Sequence, residues 1–372
     1  MRSAGVALAL GPLAAVCLAG CSTAKKAVHV QSSPTPSPAE SSEAAPTAPS
    51  PTCPLTGQPA PSGVPNRPVY AVKVPNDTAQ ARGFQTGLNS ADIVYEEPVE
   101  GGITRFIALY QCRDAARIEP IRSARFVDLD VLQQYGKVLF GHAGGIAQVI
   151  SDVSAAAASG RLIDANYSGT PYQGDYHRDT SRAEPDNLYT STAEIYKTAG
   201  TTGSAPAPVF TFFSATSTVT ATASAAAGVS ATVEPGSGAG SVVTVPFSAP
   251  AYNPTWTWNA GQGVYLRSYG SSPHKLTDGS QIQAANIVIQ LVSVTPSQYA
   301  EDITGTKENL VGTVGTGKAV VCRLGACVTG TWSRPALSSV TQYLDPSGAQ
   351  IPLQPGSTWV ELEPNTQTPS MS

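Results

Sequence analysis

The sequence predicts an α+β fold, with a layered sheet-and-helix N-terminal domain, residues 53–200, packed with a β-rich C-terminal domain, residues 201–365. Three observations predict it. From Pro54 to about Gly200, runs with the two-residue period of strands are interleaved with runs of helical period. Beyond Thr201 the texture changes. Between Thr198 and Leu266 Glu234 is the one charged residue, and short β-branched runs such as SVVTVPF, TWTWN, NIVIQLVSV and STWVELE recur between turn residues. Charge is also concentrated: 13% of the chain is charged, yet thirteen of the 39 residues from Asp92 to Asp130 are Asp, Glu, Lys or Arg.

In chain order, Met1 to Gly20 read as an export signal, with Arg2 ahead of an apolar run that Gly11 and Pro12 interrupt. The run is too short and broken to span a bilayer as a helix. It ends Leu18-Ala19-Gly20-Cys21, which resembles the lipobox of bacterial lipoproteins. Cys21 is therefore the expected lipid anchor, and the extracytoplasmic face of the cell membrane the expected location. Residues 21–52 are rich in Pro, Ser, Ala and Thr and hold too few apolar side chains to repay ordering, so a tether is expected. Residues 366–372 form a short tail. A net charge of −4 without a basic stripe argues against nucleic acid as a partner.

Four cysteines remain beyond the anchor. Cys322 and Cys327 flank a short glycine-containing loop between two apolar runs, where a cross-hairpin bridge fits. Cys53 with Cys112 follows by elimination in an oxidising compartment. Free buried thiols or a metal site are the alternatives, but no Cys-x-x-Cys spacing supports zinc, and no metal or cofactor is expected.

Strands are expected at Arg67–Val74, Ala91–Val99 and Thr104–Gln111, and a helix capped by Ser123 should run through Gln134 to a stop at Gly136. A strand at Lys137–Phe140, the turn Gly141–Gly145 and a helix from Ile146 to Ala158 come next. A loop from Asn166 to Asp186 leads to Ser191, which with Glu194 forms a capping box. Residues 215–240 read equally well as part of the β-rich region or as a low-complexity insertion.

The charged stretch carries the candidate site. Gly101-Gly102 suits a two-residue hairpin turn, which would pair Pro98 with Arg105 and place Glu96, Glu100 and Arg105 on one face. Two carboxylates on one strand invite a glycosidase reading. Four residues along a strand span about 13 Å, more than the roughly 5 to 9.5 Å such enzymes use, so that reading is disfavoured. Arg122 and Arg125 bracket the Ser123 cap, where a positive side chain opposes the helix dipole and an external anion would compensate. The bland alternative is a set of internal ion pairs. His142 lies in a glycine turn and could act as a base or as a structural hydrogen-bond partner. Arg178 and Arg182 sit with His177, Asp179 and Asn187 on a loop that could cover a site.

Two motif matches fail. Gly312–Lys318 has phosphate-loop spacing, but Ala319 stands where Ser or Thr must hold magnesium and a strand follows. Gly-x-Ser-x-Gly and His-Glu-x-x-His are absent, so serine hydrolase and zinc protease chemistry have no anchor.

Long blocks, among them CPLTGQPAP (Cys53–Pro61), SADIVYEEPVEGGITRF (Ser90–Phe106), IEPIRSARFVDLD (Ile118–Asp130), WTWNAGQGVYLRS (Trp256–Ser268) and DPSGAQIPLQPGSTWVELEP (Asp345–Pro364), resemble the YerB-like bacterial lipoproteins. The resemblance covers about Pro54 to Pro364. It implies two associated domains of unknown function, a sheet-layered α+β fold and no assigned catalytic residue. The chain departs from the family at Asp186, where Pro-His-Asn is usual, and at Cys53 and Cys112, where polar residues are common.

The leading expectation is a lipid-anchored envelope protein binding an anionic small molecule or envelope polymer, bearing phosphate or carboxylate, in a cleft of Glu96, Glu100, Arg105, Arg122, Arg125 and His142. Two rivals stand beside it. One is a hydrolase of envelope glycan or phosphoester, with Glu100 or His142 as base. The other is a partner-binding scaffold using Trp256, Trp258, Trp332 and Trp359 as contacts.

Overall fold

The strand runs IVYEEP and TRFIALY are buried at every position, as is YAVKVP, so both faces of these strands are covered by other elements. The computed structural model describes residues 51–200, 202–213, 239–301 and 303–372. The expected export signal, Cys21 and most of residues 215–240 lie outside these.

In order, the first half holds β1 (Tyr70–Pro75), α1 (Ala79–Gly83), β2 (Ile93–Pro98), β3 (Thr104–Tyr110), α2 (Phe126–Leu132), β4 (Val138–Gly141), α3 (Ala147–Ala158) and β5 (Leu162–Asp164). A small ladder of β6 (His177–Arg178) and β7 (Leu188–Tyr189) precedes α4 (Thr192–Ala199). The second half supplies β8 (Val242–Thr244), β9 (Pro254–Asn259), β10 (Val264–Tyr269), β11 (Ser272–Pro273), β12 (Gln283–Ala284) and β13 (Asn286–Val292). There follow β14 (Val294–Ala300), β15 (Lys307–Val311), β16 (Gly315–Arg323), β17 (Ala326–Arg334), β18 (Gln342–Leu344), β19 (Thr358–Pro364) and β20 (Ser370–Met371).

One sheet of ten strands takes from both halves, in the order β18-β17-β16-β13-β19-β2-β3-β1-β4-β5. The join is β19, which lies parallel to β13 on one side and to β2 on the other. One face of this sheet packs against α2 and α3 through Val127, Val131, Val149 and Val153. The other face carries Val94, Phe106 and Trp359 and packs against Trp256 and Tyr265 of a second, six-stranded sheet. The architecture is mixed α+β. The closing residues do not hang free as a tail, because β20 pairs with β8 and adds an edge strand to the smaller sheet.

Disulfides join Cys53 to Cys112 and Cys322 to Cys327. The first fastens the residues before β1 to the end of β3, and the second staples the β16–β17 hairpin.

Two local expectations need correction. The β2–β3 turn is not a two-residue loop: Val99 N–H donates to the Ile103 carbonyl at 2.9 Å around a 3-10 turn at Glu100–Gly102. Gly101 and Gly102 both have positive φ, at 69° and 73°, which suits many tight turns and does not by itself select a loop length. Pro98 therefore pairs with Thr104 and Glu97 with Arg105, one residue away from the expected register. A slip of one residue exchanges the faces, so Glu96 lies opposite Glu97 and Arg105. The second correction concerns α2, which begins at Phe126 with Arg125 as its N-cap rather than Ser123. The Ser123 hydroxyl donates instead to the Ala143 carbonyl at 3.3 Å.

Candidate functional site: an arginine and carboxylate belt

The charged residues of the first half meet where β1 ends and β3 begins. Asp77 follows β1, Glu100 occupies the β2–β3 turn, Arg105 is the second residue of β3, and Arg122 and Arg125 lead into α2. These alternate in sign. Arg122 pairs with Asp186 at 2.6 Å and lies 3.7 Å from Asp77. Asp77 is 3.9 Å from Arg105, and Arg105 is 3.8 Å from Glu100. Glu100 accepts two bonds from Arg125, at 2.8 and 2.5 Å, and Arg125 reaches Glu301 at 2.6 Å.

The second half therefore closes the belt. The β14–β15 arm delivers Glu301, between its strands, and Glu308, whose carboxylate accepts the Phe126 N–H at 2.9 Å. The leading amide of α2 and the guanidinium beside it thus already hold carboxylates of this chain. Burial alone would raise the Glu100 carboxyl, but the Arg125 bonds hold it below the usual range. Glu308 is pushed up to about 7 by burial, with Glu301 and Glu100 adding to the effect.

Beneath the belt lies a fully buried cluster. Lys73 donates to Asp128 at 2.7 Å and also to Glu97. The other Asp128 oxygen accepts the Arg125 backbone N–H at 2.7 Å. Burial and then the neighbouring Asp128 push Glu97 up to about 8. Arg105 is 5% exposed, and its guanidinium is the loosest member of the belt. Both carboxylates beside it are beyond hydrogen-bonding distance, its Nη1 reaches the Ser123 carbonyl at 3.4 Å, and its Nε has no acceptor. The Arg122 Nε is likewise buried without an acceptor.

Two family profiles match the chain, the N-terminal and the C-terminal domain of a protein of unknown function, DUF3048, at residues 55–205 and 243–360. The chain belongs to this family. A Bacillus subtilis member, YerB, named as a candidate lipoprotein, is 33% identical over 150 residues. That match spans 40% of this chain and 43% of the relative, less than half of its length. The crystal structure of YerB from Bacillus subtilis superposes with a TM-score of 0.67 at 22% identity, over 86% of this chain and 99% of that one. At that identity the likeness carries the fold.

Within the DUF3048 fold the residues expected to form one cleft are divided. Glu100, Arg105, Arg122 and Arg125 come together in the belt. Glu96 does not: it lies between the two sheets, bound to Arg267 at 2.5 Å. His142 is fully buried, with Nδ1 3.0 Å from the Gly144 carbonyl and Nε2 3.1 Å from Asp164, and it packs on Phe140. Its loop is zipped to the arginine segment, since Ala143 N–H donates to the Arg122 carbonyl and Ala124 N–H to that of Gly144. Arg178 and Arg182 serve other partners. Arg178 bonds Glu184, Asn187 and Tyr167, whereas Arg182 joins Glu119 and Asp179 and covers Phe84. Asp186, where the resemblance has histidine, is the loop's contribution to the belt.

The remaining expectations fare unevenly. Glu100 is bound by Arg125 and His142 by Asp164, so the two groups suggested as a base are each engaged elsewhere. Trp256, Trp332 and Trp359 are buried in the core and offer no scaffold surface; Trp258 is partly buried against Tyr265.

Sequence reading missed the buried polar network between the sheets. Arg267 is fully buried on β10 among Phe106, Trp256, Tyr269 and Trp359, and it bonds Glu96 and His274, which in turn reaches Gln85. Glu361 stands in register with Glu96 and accepts the Trp256 indole N–H at 2.8 Å. Burial and the adjacent Glu96 raise the Glu361 carboxyl well above the usual carboxylate range. The signal was present in the alternation: Arg267 falls on the same side of β10 as the apolar Tyr265, and Glu361 and Glu363 on the same side of β19 as Trp359.

Proposed function

We propose that this chain is a lipid-anchored protein of the cell envelope that binds a small oxyanion, phosphate- or carboxylate-bearing, between Arg105 and Arg122. The observation that carries this reading is the pair of buried Nε–H groups on those two arginines, both without acceptors, on either side of Asp77. Buried arginine donors left open are costly, and an oxyanion or ordered water completes them. Asp77 then acts as the competitor that a ligand must displace. Sequence and kinship support the anchor: Leu18-Ala19-Gly20-Cys21 has lipobox character, and the YerB relative is named for lipoprotein status. Among the described residues no helix is long and apolar enough to cross a membrane.

Calorimetric titration of the full chain with inorganic phosphate, and separately with citrate, tests the site. Arg122→Ala should weaken binding by about tenfold or more, the worth of one charge-assisted bond, and Asp77→Asn should tighten it. Indifference of the affinity to both substitutions would remove the reading. For the anchor, Cys21→Ser should release the protein from the membrane fraction.

A further inference from the structure

The smaller sheet covers only part of one face of the larger sheet. Where its edge strand β20 stops, a groove of about 630 Å³ remains open, a volume in the range of small-molecule sites. Its floor is the alternate residues Thr316, Lys318 and Val320 of β16, with Leu291 of β13 and Thr329 of β17 beside them, and its wall is the segment Asn365–Met371. This floor includes the end of the glycine-rich run Gly312–Lys318. That run forms no phosphate loop here: its second half, from Gly315, is the start of strand β16, and Gly317 gives up its side chain so that the Trp332 indole N–H can reach the Leu291 carbonyl at 2.9 Å.

The groove is lined by polar side chains that the fold does not use. Ser293, Thr316, Lys318, Thr329, Asn365 and Gln367 all line it, and among the described residues none of their side chains has a hydrogen-bond or ion-pair partner. Lys318 is exposed and supplies the groove's one charge. Leu291, Val314 and Met371 set apolar patches between them. The face stays polar further in, where Glu363, in register with Leu291, is buried with neither carboxyl oxygen partnered.

We infer that this groove binds a saccharide bearing a carboxylate, with Lys318 on the acid and the amide and hydroxyl side chains on the sugar hydroxyls. The chemistry selects among ligand classes. A lone lysine without an arginine fork or a nest of amides is poor for a polyphosphate. One cation is also too few for nucleic acid. A peptide adding to the sheet needs a length of free strand edge, and β20 is two residues long. A wholly apolar ligand would strand these polar side chains. Sugar rings, with hydroxyls at their edges and C–H faces for the apolar patches, match both kinds of lining.

The test uses the full chain and a uronic-acid trimer, tri-galacturonate, against its methyl ester, which is the same sugar with the acid masked. Calorimetry should show binding of the acid, about tenfold or more weaker in Lys318→Ala and weaker still on adding Asn365→Ala. The ester should bind more weakly than the acid to the native chain and no differently to Lys318→Ala. Arg122→Ala, which alters the arginine belt and any binding of the acid there, should leave the Lys318-dependent component of trimer binding intact. Absent binding, equal affinity for acid and ester, or loss in Arg122→Ala but not in Lys318→Ala would each overturn the inference. These residues lie on the surface, so retained melting temperatures in the variants will separate lost binding from lost folding.

Discussion

Single residues in this protein differ in what their charge does according to how completely water has been replaced. Arg267 is enclosed by four aromatic rings and holds Glu96 at 2.5 Å with both side chains fully buried. Removing one partner of such a pair leaves the other charged and dry, so Arg267→Ala should cost on the order of 3 to 5 kcal/mol in chemical denaturation. Arg122, whose partners lie closer to solvent, should cost about 1 kcal/mol in the same assay. Glu363 makes the complementary prediction. Burial pushes its carboxyl up to about 8, against 4.5 for the free side chain, so the folded state holds a proton that the unfolded state releases. The contribution of a raised carboxyl is full below the unfolded value and is lost as pH rises toward 8. Glu363→Gln cannot ionise, and its stability relative to the native chain should rise steadily between about pH 5 and pH 8. A difference that is flat with pH would show that Glu363 is not a buried acid.

At the scale of elements, the two disulfides close loops of very different length. Cys53 and Cys112 are 59 residues apart and Cys322 and Cys327 only 5, so chain entropy assigns roughly 4 kcal/mol to the first and roughly 2 kcal/mol to the second. Alanine replacement of each pair should rank the denaturation midpoints accordingly. Elements are also where sequence reading was strongest and then failed in a particular way. The charge density between Asp92 and Asp130 led to Glu100, Arg105, Arg122 and Arg125, which do meet. Strand periodicity could not choose the turn, because Gly101 and Gly102 permit more than one loop. The choice falls to partners distant in sequence: Glu97 faces Lys73 and Asp128, and Glu96 faces Arg267. Glu301 and Glu308, which complete the belt, lie more than 170 residues from Arg125 and Phe126. No local pattern announces such pairs. The α2 cap was misplaced for the same reason, since the acceptor for the first amide is Glu308 and not the nearby Ser123 hydroxyl.

For the whole molecule, the two matched family regions share one ten-stranded sheet and are not merely two neighbours. Strand β2 has β3 on one side and β19 on the other, and β19 comes from residues 358–364. Cutting the chain after residue 205 would free the β19 edge of Ile93–Pro98, whose six residues are buried in the intact fold. It would also uncover Val94 and Phe106 by removing Trp256 and Trp359, and leave Glu96 without Arg267. An uncapped apolar edge and an unpaired buried charge both oppose independent folding. A fragment of residues 53–205 should therefore melt without a cooperative transition or associate through that edge, whereas residues 53–372 should melt cooperatively. Adding residues 239–372 in trans should restore cooperativity, because the missing strand and the missing guanidinium arrive together. Sharp, independent melting of the shorter fragment would mean that β19 only leans on a sheet already complete without it, and that Glu96 between the sheets tolerates the loss of Arg267.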